Sequence, residues 1–430
     1  MWNLDYADHM ISMSAEYKAA LPEWERARDC LAGELAVKAK GEIYLPRLDS
    51  QTDAEYAAYV KRAAFFAGAA RVLEDCLTAA FKRSPEFQLP TVSPLLDLLQ
   101  RFIADCDLAG SGFVDYSRHV LEQVLSVARA GSLVLWDNEL GRPWVSMWKA
   151  EQIVDWRYER VKGRLCLVRL VLGESGGPTV ILWLHRGKCV REVWHGQRVR
   201  GRSYLMHGHA FVPLIPFVFH APRGASGDVE RSPLDAIISN NLDHYRLSAD
   251  CRHGLHLAAL PTAWVSGFDK ASPLRVGSSE AWISEVPGAT AGFLEFKGTG
   301  LSHIERALAL VQGQMQEQGA RLLGRNENGS TGEAGLAGCV RALSGSLSRV
   351  LGLACSWCSG EWSPALPQVG ICLADVGAST IKGAELSAIV EAWKAGAISR
   401  ESLLESLRRG DVLPDGRSVA QEKALLYRAK

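Results

Sequence analysis

RSPLDAIISNNLDHYRLSADCRHGLHLAAL, residues 231–260, is the stretch around which the rest of the chain is organised. Ser232 can accept from the backbone N–H groups of a first helical turn, Pro233 suits the first helical position, and Asp235 sets a carboxylate at the positive end. At roughly 100° per residue, Leu234, Ile237, Ile238, Leu242, Tyr245, Ala249, Leu255 and Ala259 fall in one stripe, with Asp243, Arg246, Leu247 and Asp250 outside it. Pro261 ends the run. The expected helix is about 40 Å long at roughly 1.5 Å per residue, well beyond the usual three turns. One face packs; the other meets solvent or a neighbour.

Beyond Pro261, residues 262–266, 281–283 and 292–296 read as strands in a Gly/Pro/Ser-rich setting, a small β module of roughly forty residues. A second helix, 301–323, returns from it through Ile304, Leu308, Val311, Met315 and Leu322, and its polar run 312–318 suits contact with other polar faces. GRNENGSTGEAG, 324–335, has four Gly and no large apolar side chain, the composition of a mobile loop. A helix at 336–360, a strand at 369–373 and helices at 381–395 and 399–409 complete the chain, the last capped by Ser399 and stopped by Arg408-Arg409-Gly410.

Upstream, helices are expected at 22–33, 94–107 and 114–130. One long helix at 52–82 opens on the reciprocal Thr52/Glu55 cap. Pro46 makes 41–51 an extended arm. From Gly131 the period changes to that of strands, at 132–136, 164–172, 179–184, 189–194 and 212–220, and the polar hinge APRGASGDVE, 221–230, leads into the mid-chain helix. No internal repeat is present.

The 430 residues are 47% hydrophobic and 22% charged, enough for two or three cores. Lys plus Arg equals Asp plus Glu, 48 each, so bulk charge grips neither nucleic acid nor membrane, and any DNA contact must be local or weak. The first twenty residues have no basic n-region or apolar core, and no window nears twenty apolar residues, which points to a soluble, cytoplasmic-type protein. The ten cysteines, scattered except for Cys355 and Cys358, are expected to be reduced.

Four motifs could carry chemistry. GESGGP, 173–178, differs by one residue from the GDSGGP around the nucleophile of chymotrypsin-like proteases, but that family's His motif is absent and Gly-Gly-Pro between strand-like runs is good hairpin chemistry. Cys355-Ser-Trp-Cys358 lies late in an apolar helix with no second pair for zinc. His253 and His256 could share a face, whereas His244, Asp243 and Asp250 point elsewhere, so no metal is expected. Gly324 to Ser330 lacks the Gly-Lys-Ser/Thr ending of a nucleotide phosphate loop.

Taken in order, GEIYLPRL, EYAAYVKRAAFFAGAARVLEDCLTAAFKRSPEF, ARAGSLVLWD, AEQIVDWRY, SPLDAIISNNLDHYRLSADCRHGLHLAALPTAWVSG, the EFKGTGL run into MQEQGARLLG, and EAWKAGAISRESLLESLRRGDVLP resemble a portal protein of tailed bacteriophages, in its shorter group. The resemblance implies an α+β, portal-like fold: a helical and β wing (1–230), stem helix 1 (231–260), a small β clip (261–300), stem helix 2 (301–323), a Gly-rich tunnel loop (324–335), a wing helix and strand (336–380) and a helical crown (381–430). It implies a non-enzymatic head–tail connector without cofactor, a ring homo-oligomer of about twelve copies in the virion at a capsid vertex, with host cytoplasm as the place of assembly. The partners implied are double-stranded DNA in the channel during packaging and ejection, the large terminase subunit, head–tail adaptor proteins and the major capsid or scaffolding protein, with no membrane. Within the loop, Arg325 offers a cation and Asn326 and Asn328 neutral donors toward DNA, while Leu234, Ile238, Tyr245 and Met315 belong to the stem helices. The alternatives are a serine hydrolase using Ser175 and a monomeric multi-domain binding protein.

Overall fold

The mid-chain helix begins two residues later than Pro233 suggests. Ser232 Oγ accepts from the Leu234 N–H at 3.0 Å and donates to the Leu125 carbonyl at 2.6 Å, so this serine ties the entry of the helix to another element, and regular helix starts at Asp235. The computed structural model describes residues 13–90, 93–161, 163–173, 176–196, 198–259, 262–268, 282–294, 300–324, 335–362, 369–373, 383–409, 412 and 422–425.

In chain order the elements are α1 (Ala15–Ala32), α2 (Glu34–Ala39), α3 (Asp53–Arg62), α4 (Gly68–Ala80), β1 (Glu86–Gln88), α5 (Ser93–Ala104), α6 (Phe113–Val127), β2 (Ala130–Asp137), β3 (Arg142–Lys149), β4 (Ile153–Val161), β5 (Arg164–Gly173), β6 (Thr179–His185), β7 (Lys188–His195), β8 (Arg198–Tyr204), β9 (Met206–His207), β10 (Ala210–Phe211), β11 (Phe217–His220), α7 (Asp235–Ala259), β12 (Thr262–Ser266), β13 (Thr290–Leu294), α8 (Leu301–Leu322), α9 (Leu336–Ser359), β14 (Gly370–Cys372), α10 (Gly383–Lys394) and α11 (Arg400–Arg409). Every sheet among them pairs antiparallel, which with the separate helical runs makes the fold α+β.

Two compact units divide the chain: Met1–Arg28, Arg71–Asp235 and Gln318–Lys430 form one, and Asp29–Ala70 with Ala236–Glu317 the other. In the first, α9 lies on the sheet β11-β2-β3 and against α5, α6 and β14. Its buried face is Leu336, Val340, Leu343, Leu347, Val350, Leu351 and Ala354, and Trp357 at its end donates to the Val134 carbonyl at 2.9 Å. Gly131 on β2 makes room for the Phe217 ring, because a Cβ there would fall 2.0 Å from it and force it to shift. A five-stranded meander, β4-β5-β6-β7-β8, belongs to the same unit.

Several sequence expectations are corrected. α1 begins at Ala15 and runs through Pro22 rather than starting there; its buried Tyr17, Trp24 and Ala27, with the Tyr17 and Trp24 rings edge-on at 5.7 Å, supply the packing that offsets the missing N–H. Val212 to His220 is strand only from Phe217, and Trp282 and Ile283 lie outside any strand. β3, β4 and β8 arise where no strand was expected, each as the hydrogen-bonded return of a neighbour. The long helix at 52–82 is two helices, α3 and α4, with extended backbone from Ala63.

That break is made in the second unit by α7. Ser248 Oγ accepts the Ala64 N–H at 3.1 Å, and Asn241 Oδ1 accepts the Ala69 N–H at 2.9 Å, so polar side chains from a neighbouring helix replace the carbonyls that a continuous helix would offer. Tyr59 donates to Asp250, and the Phe65 and Phe66 rings pack edge-on and tilted against Tyr245 and His244. Tertiary contact overrides a local helical pattern here.

Candidate assembly surface

α7 changes character along its length. Ile237, Ile238, Asn241, Leu242, Tyr245, Ser248, Ala249 and Cys251 are buried, and then no residue from 252 to 259 is. Leu255 and Ala259, placed in the buried stripe by periodicity, are exposed. α8 mirrors this: none of its residues from 301 to 314 is buried, Leu310 is 64% exposed, and cover begins at Met315. The two bare ends meet at one close contact, where a Cβ on Gly254 would lie 2.6 Å from Leu301 Cδ2.

Between them β12 and β13 pair antiparallel, from Thr262 opposite Leu294 to Ser266 opposite Thr290. Among the described residues this is a two-stranded ribbon, marginal alone and with an unpaired edge on each strand. Its side chains add to this: Trp264, Val286 and Leu294 are exposed, Phe293 is 53% exposed and Ile283 82%. Large apolar side chains gathered on one small module mark a surface that needs cover.

Of the residues singled out by sequence, Leu234 is buried just ahead of α7, Ile238 and Tyr245 are buried within it, and Met315 is buried on α8, its Sδ within 3.1 Å of where a Gly68 Cβ would sit. These four fill the chain's own cores. Arg325, Asn326, Asn328 and Ser175 lie outside the described residues. Sequence reading missed the polar pair Asn241 and Ser248; two hydrogen-bonding side chains seven residues apart beside an apolar stripe were the available signal.

Several of the groups that resemble catalytic ones are buried. In the first unit Tyr116 Oη, Ser132 Oγ, the His220 ring and Ser346 Oγ form a fully buried chain with steps of 2.5, 2.6 and 2.7 Å, and burial pushes His220 down to about 3 and Tyr116 up. Arg129, also buried, donates to the Gly227 carbonyl at 2.7 Å and stacks over Trp156 at 3.9 Å and Phe219 at 4.7 Å, its pKa lowered to about 10 by burial. Cys355 and Cys358 lie within α9, unlinked, both thiols raised by burial, Cys358 to about 12. GESGGP joins β5 to β6, with Gly173 opposite Thr179, as hairpin chemistry suggests. His253 packs on Tyr59 and lies 3.3 Å from Arg62, and burial, then Arg62, lowers its pKa. Among the described residues no three His, Cys, Asp or Glu are grouped to hold a metal, and no helix is long and apolar enough to cross a membrane.

Residues 233–358 match a family described as a domain of unknown function, DUF4055. This segment runs from the entry of α7 to the end of α9. Among solved structures the chain is similar to a chain in the neck of an empty gene transfer agent (GTA) particle, computed with C6 symmetry (16% identity, TM-score 0.41, covering 80% of this chain and 90% of that one). It is also similar to chains in the native GTA virion (16%, 0.39, 89% and 99%) and in the native GTA neck computed with C12 symmetry (16%, 0.39, 81% and 90%). No curated protein matches it.

Proposed function

We propose that this chain is a structural portal protein, not an enzyme. About twelve copies form a ring at one capsid vertex, serving as the channel for DNA packaging and ejection and as the docking site for the large terminase subunit and head–tail connectors. The observation that carries this is the joint loss of cover on α7 and α8 toward an exposed apolar ribbon: a long hairpin complete only when neighbours flank it. The ordered strings along most of the chain support the same reading. On it, residues 231–260 and 301–323, with α7 and α8, are the two stem helices, residues 261–300 are the clip, and Arg325, Asn326 and Asn328 face DNA from the tunnel loop. Capsid or scaffolding protein holds the ring in the virion after assembly in the host cytoplasm.

The test is the assembly state of the purified chain, by native mass spectrometry and electron-microscope class averages. Closed rings of about twelve subunits, with a central opening that admits a duplex, are expected. A chain that stays monomeric at every salt concentration, and also with its capsid and scaffolding proteins present, overturns the reading.

A further inference from the structure

The balanced charge of the whole chain conceals a strong local excess. Between residues 153 and 204, which build the five-stranded meander, eleven Lys and Arg face four Asp and Glu, and nine of the eleven are Arg. In an antiparallel meander alternate turns share an end, so the β4–β5 and β6–β7 connections lie at the same end, about 9.5 Å apart across two strand spacings, with the β4–β5 hairpin reaching about three residues further along the strands. That end holds Arg160, Arg164, Arg186 and Lys188, the three arginines exposed. None of these four pairs with a carboxylate among the described residues, unlike the ion-paired Arg26, Arg28, Lys38 and Arg47 of the helical parts.

A second observation comes from the backbone. His185 pairs with Lys188 across a two-residue turn in which Arg186 has φ 51° and Gly187 φ 74°. Both central residues are left-handed, the turn that Asn-Gly fills best, and arginine there is strained. A strained cation at a turn tip, where asparagine would fit at no cost, points to a use for the charge. Lys188 is held in place beside it, its Nζ 3.8 Å over the Phe211 ring.

We infer that the end of the meander bearing Arg160, Arg164, Arg186 and Lys188 is a contact surface for the phosphate backbone of nucleic acid. Guanidinium forks match phosphate oxygens bidentately, and cations on two turns at one end of a sheet grip a backbone without reading sequence. This contact is separate from the tunnel loop and stands whether or not the chain forms a ring.

The experiment measures binding of the full-length protein to a fluorescent duplex of about 30 base pairs by anisotropy across a salt series. Each lost phosphate contact lowers the slope of log K against log salt by about 0.9, so the combined variant Arg160→Ser, Arg164→Ser, Arg186→Asn, Lys188→Ser lowers it by about 3.6. Arg186→Asn alone lowers it by about 0.9 with an unchanged or higher Tm, since asparagine tolerates the left-handed turn. An unchanged slope in the combined variant overturns the inference. So does loss of the whole salt dependence on Arg325→Ala, which assigns the affinity to the loop, or binding of polyglutamate but not duplex through the same four residues, which assigns the surface to an acidic protein.

Discussion

Acid should loosen the first unit through one residue, His220. Ser346 Oγ donates to the Leu343 carbonyl at 3.0 Å, so its lone pair accepts from His220 Nδ1–H; Nε2 must then accept from Ser132, which in turn accepts from Tyr116. Only a neutral imidazole satisfies this sequence of donors, and a second ring proton would force Ser132 to give up the bond it donates to Nε2 in a site sealed from water. The folded pKa of about 3 lies below the unfolded value of about 6.5, so between these pH values the unfolded chain binds more protons. Stability is therefore complete above about pH 6.5 and falls by about 1.4 kcal/mol per pH unit below it, or about 2 kcal/mol by pH 5. The assay is denaturant unfolding of wild type and His220→Asn at pH 7.5 and pH 5, where the difference cancels the other titrating groups. The variant starts about 2 kcal/mol less stable, because Ser132 and Ser346 lose partners, and that gap nearly closes at pH 5. A gap that stays constant with pH refutes the single-tautomer argument.

Three further outcomes follow from the packing. Asn241→Ala leaves the buried Ala69 N–H without its acceptor and should cost about 1–3 kcal/mol, with faster hydrogen exchange confined to the start of α4; unchanged exchange there would show that the break does not depend on α7. Gly131→Ala drives a methyl into the Phe217 ring and should destabilise by about 1–3 kcal/mol, with Phe217→Leu in the same chain restoring most of the loss in thermal unfolding. Trp264→Ser combined with Phe293→Ser removes exposed side chains, so monomer stability should move by under about 1 kcal/mol while sedimentation shifts from ring to monomer; rings of undiminished stability would separate assembly from the ribbon.

The two long helices around a small ribbon were legible because their signals are local: a cap at Ser232, a proline after the helix and a second apolar repeat ending at Leu322. The Ser399 cap of α11 was legible for the same reason, its Oγ accepting the Ser402 N–H at 3.0 Å. Where the fold departs from pattern, a distant segment decides. Nothing within 52–82 announces the break after Arg62, because the groups that stabilise it sit on α7, some 180 residues on. The end of burial on α7 was illegible for a related reason: Leu255 keeps the apolar period, and periodicity cannot distinguish a residue that packs within its own chain from one left for a neighbour.

Charge shows the same limit of whole-chain quantities and bears on the proposed channel. Zero net charge arises from separation: the meander segment carries +7 and the remainder of the chain therefore −7. For a ring this matters, because contacts multiply by copy number. If each of about twelve subunits neutralised several phosphates of a moving duplex, the summed counterion release would hold the DNA fast rather than let it slide. On the proposed reading the two needs are met by different parts of the chain. The loop meets the moving duplex with one cation, Arg325, among neutral and acidic residues, while the strong phosphate contact sits on the meander. The salt series separates these contributions: the Arg325→Ala chain should retain nearly all of the wild-type slope, and the combined meander variant should lose most of it.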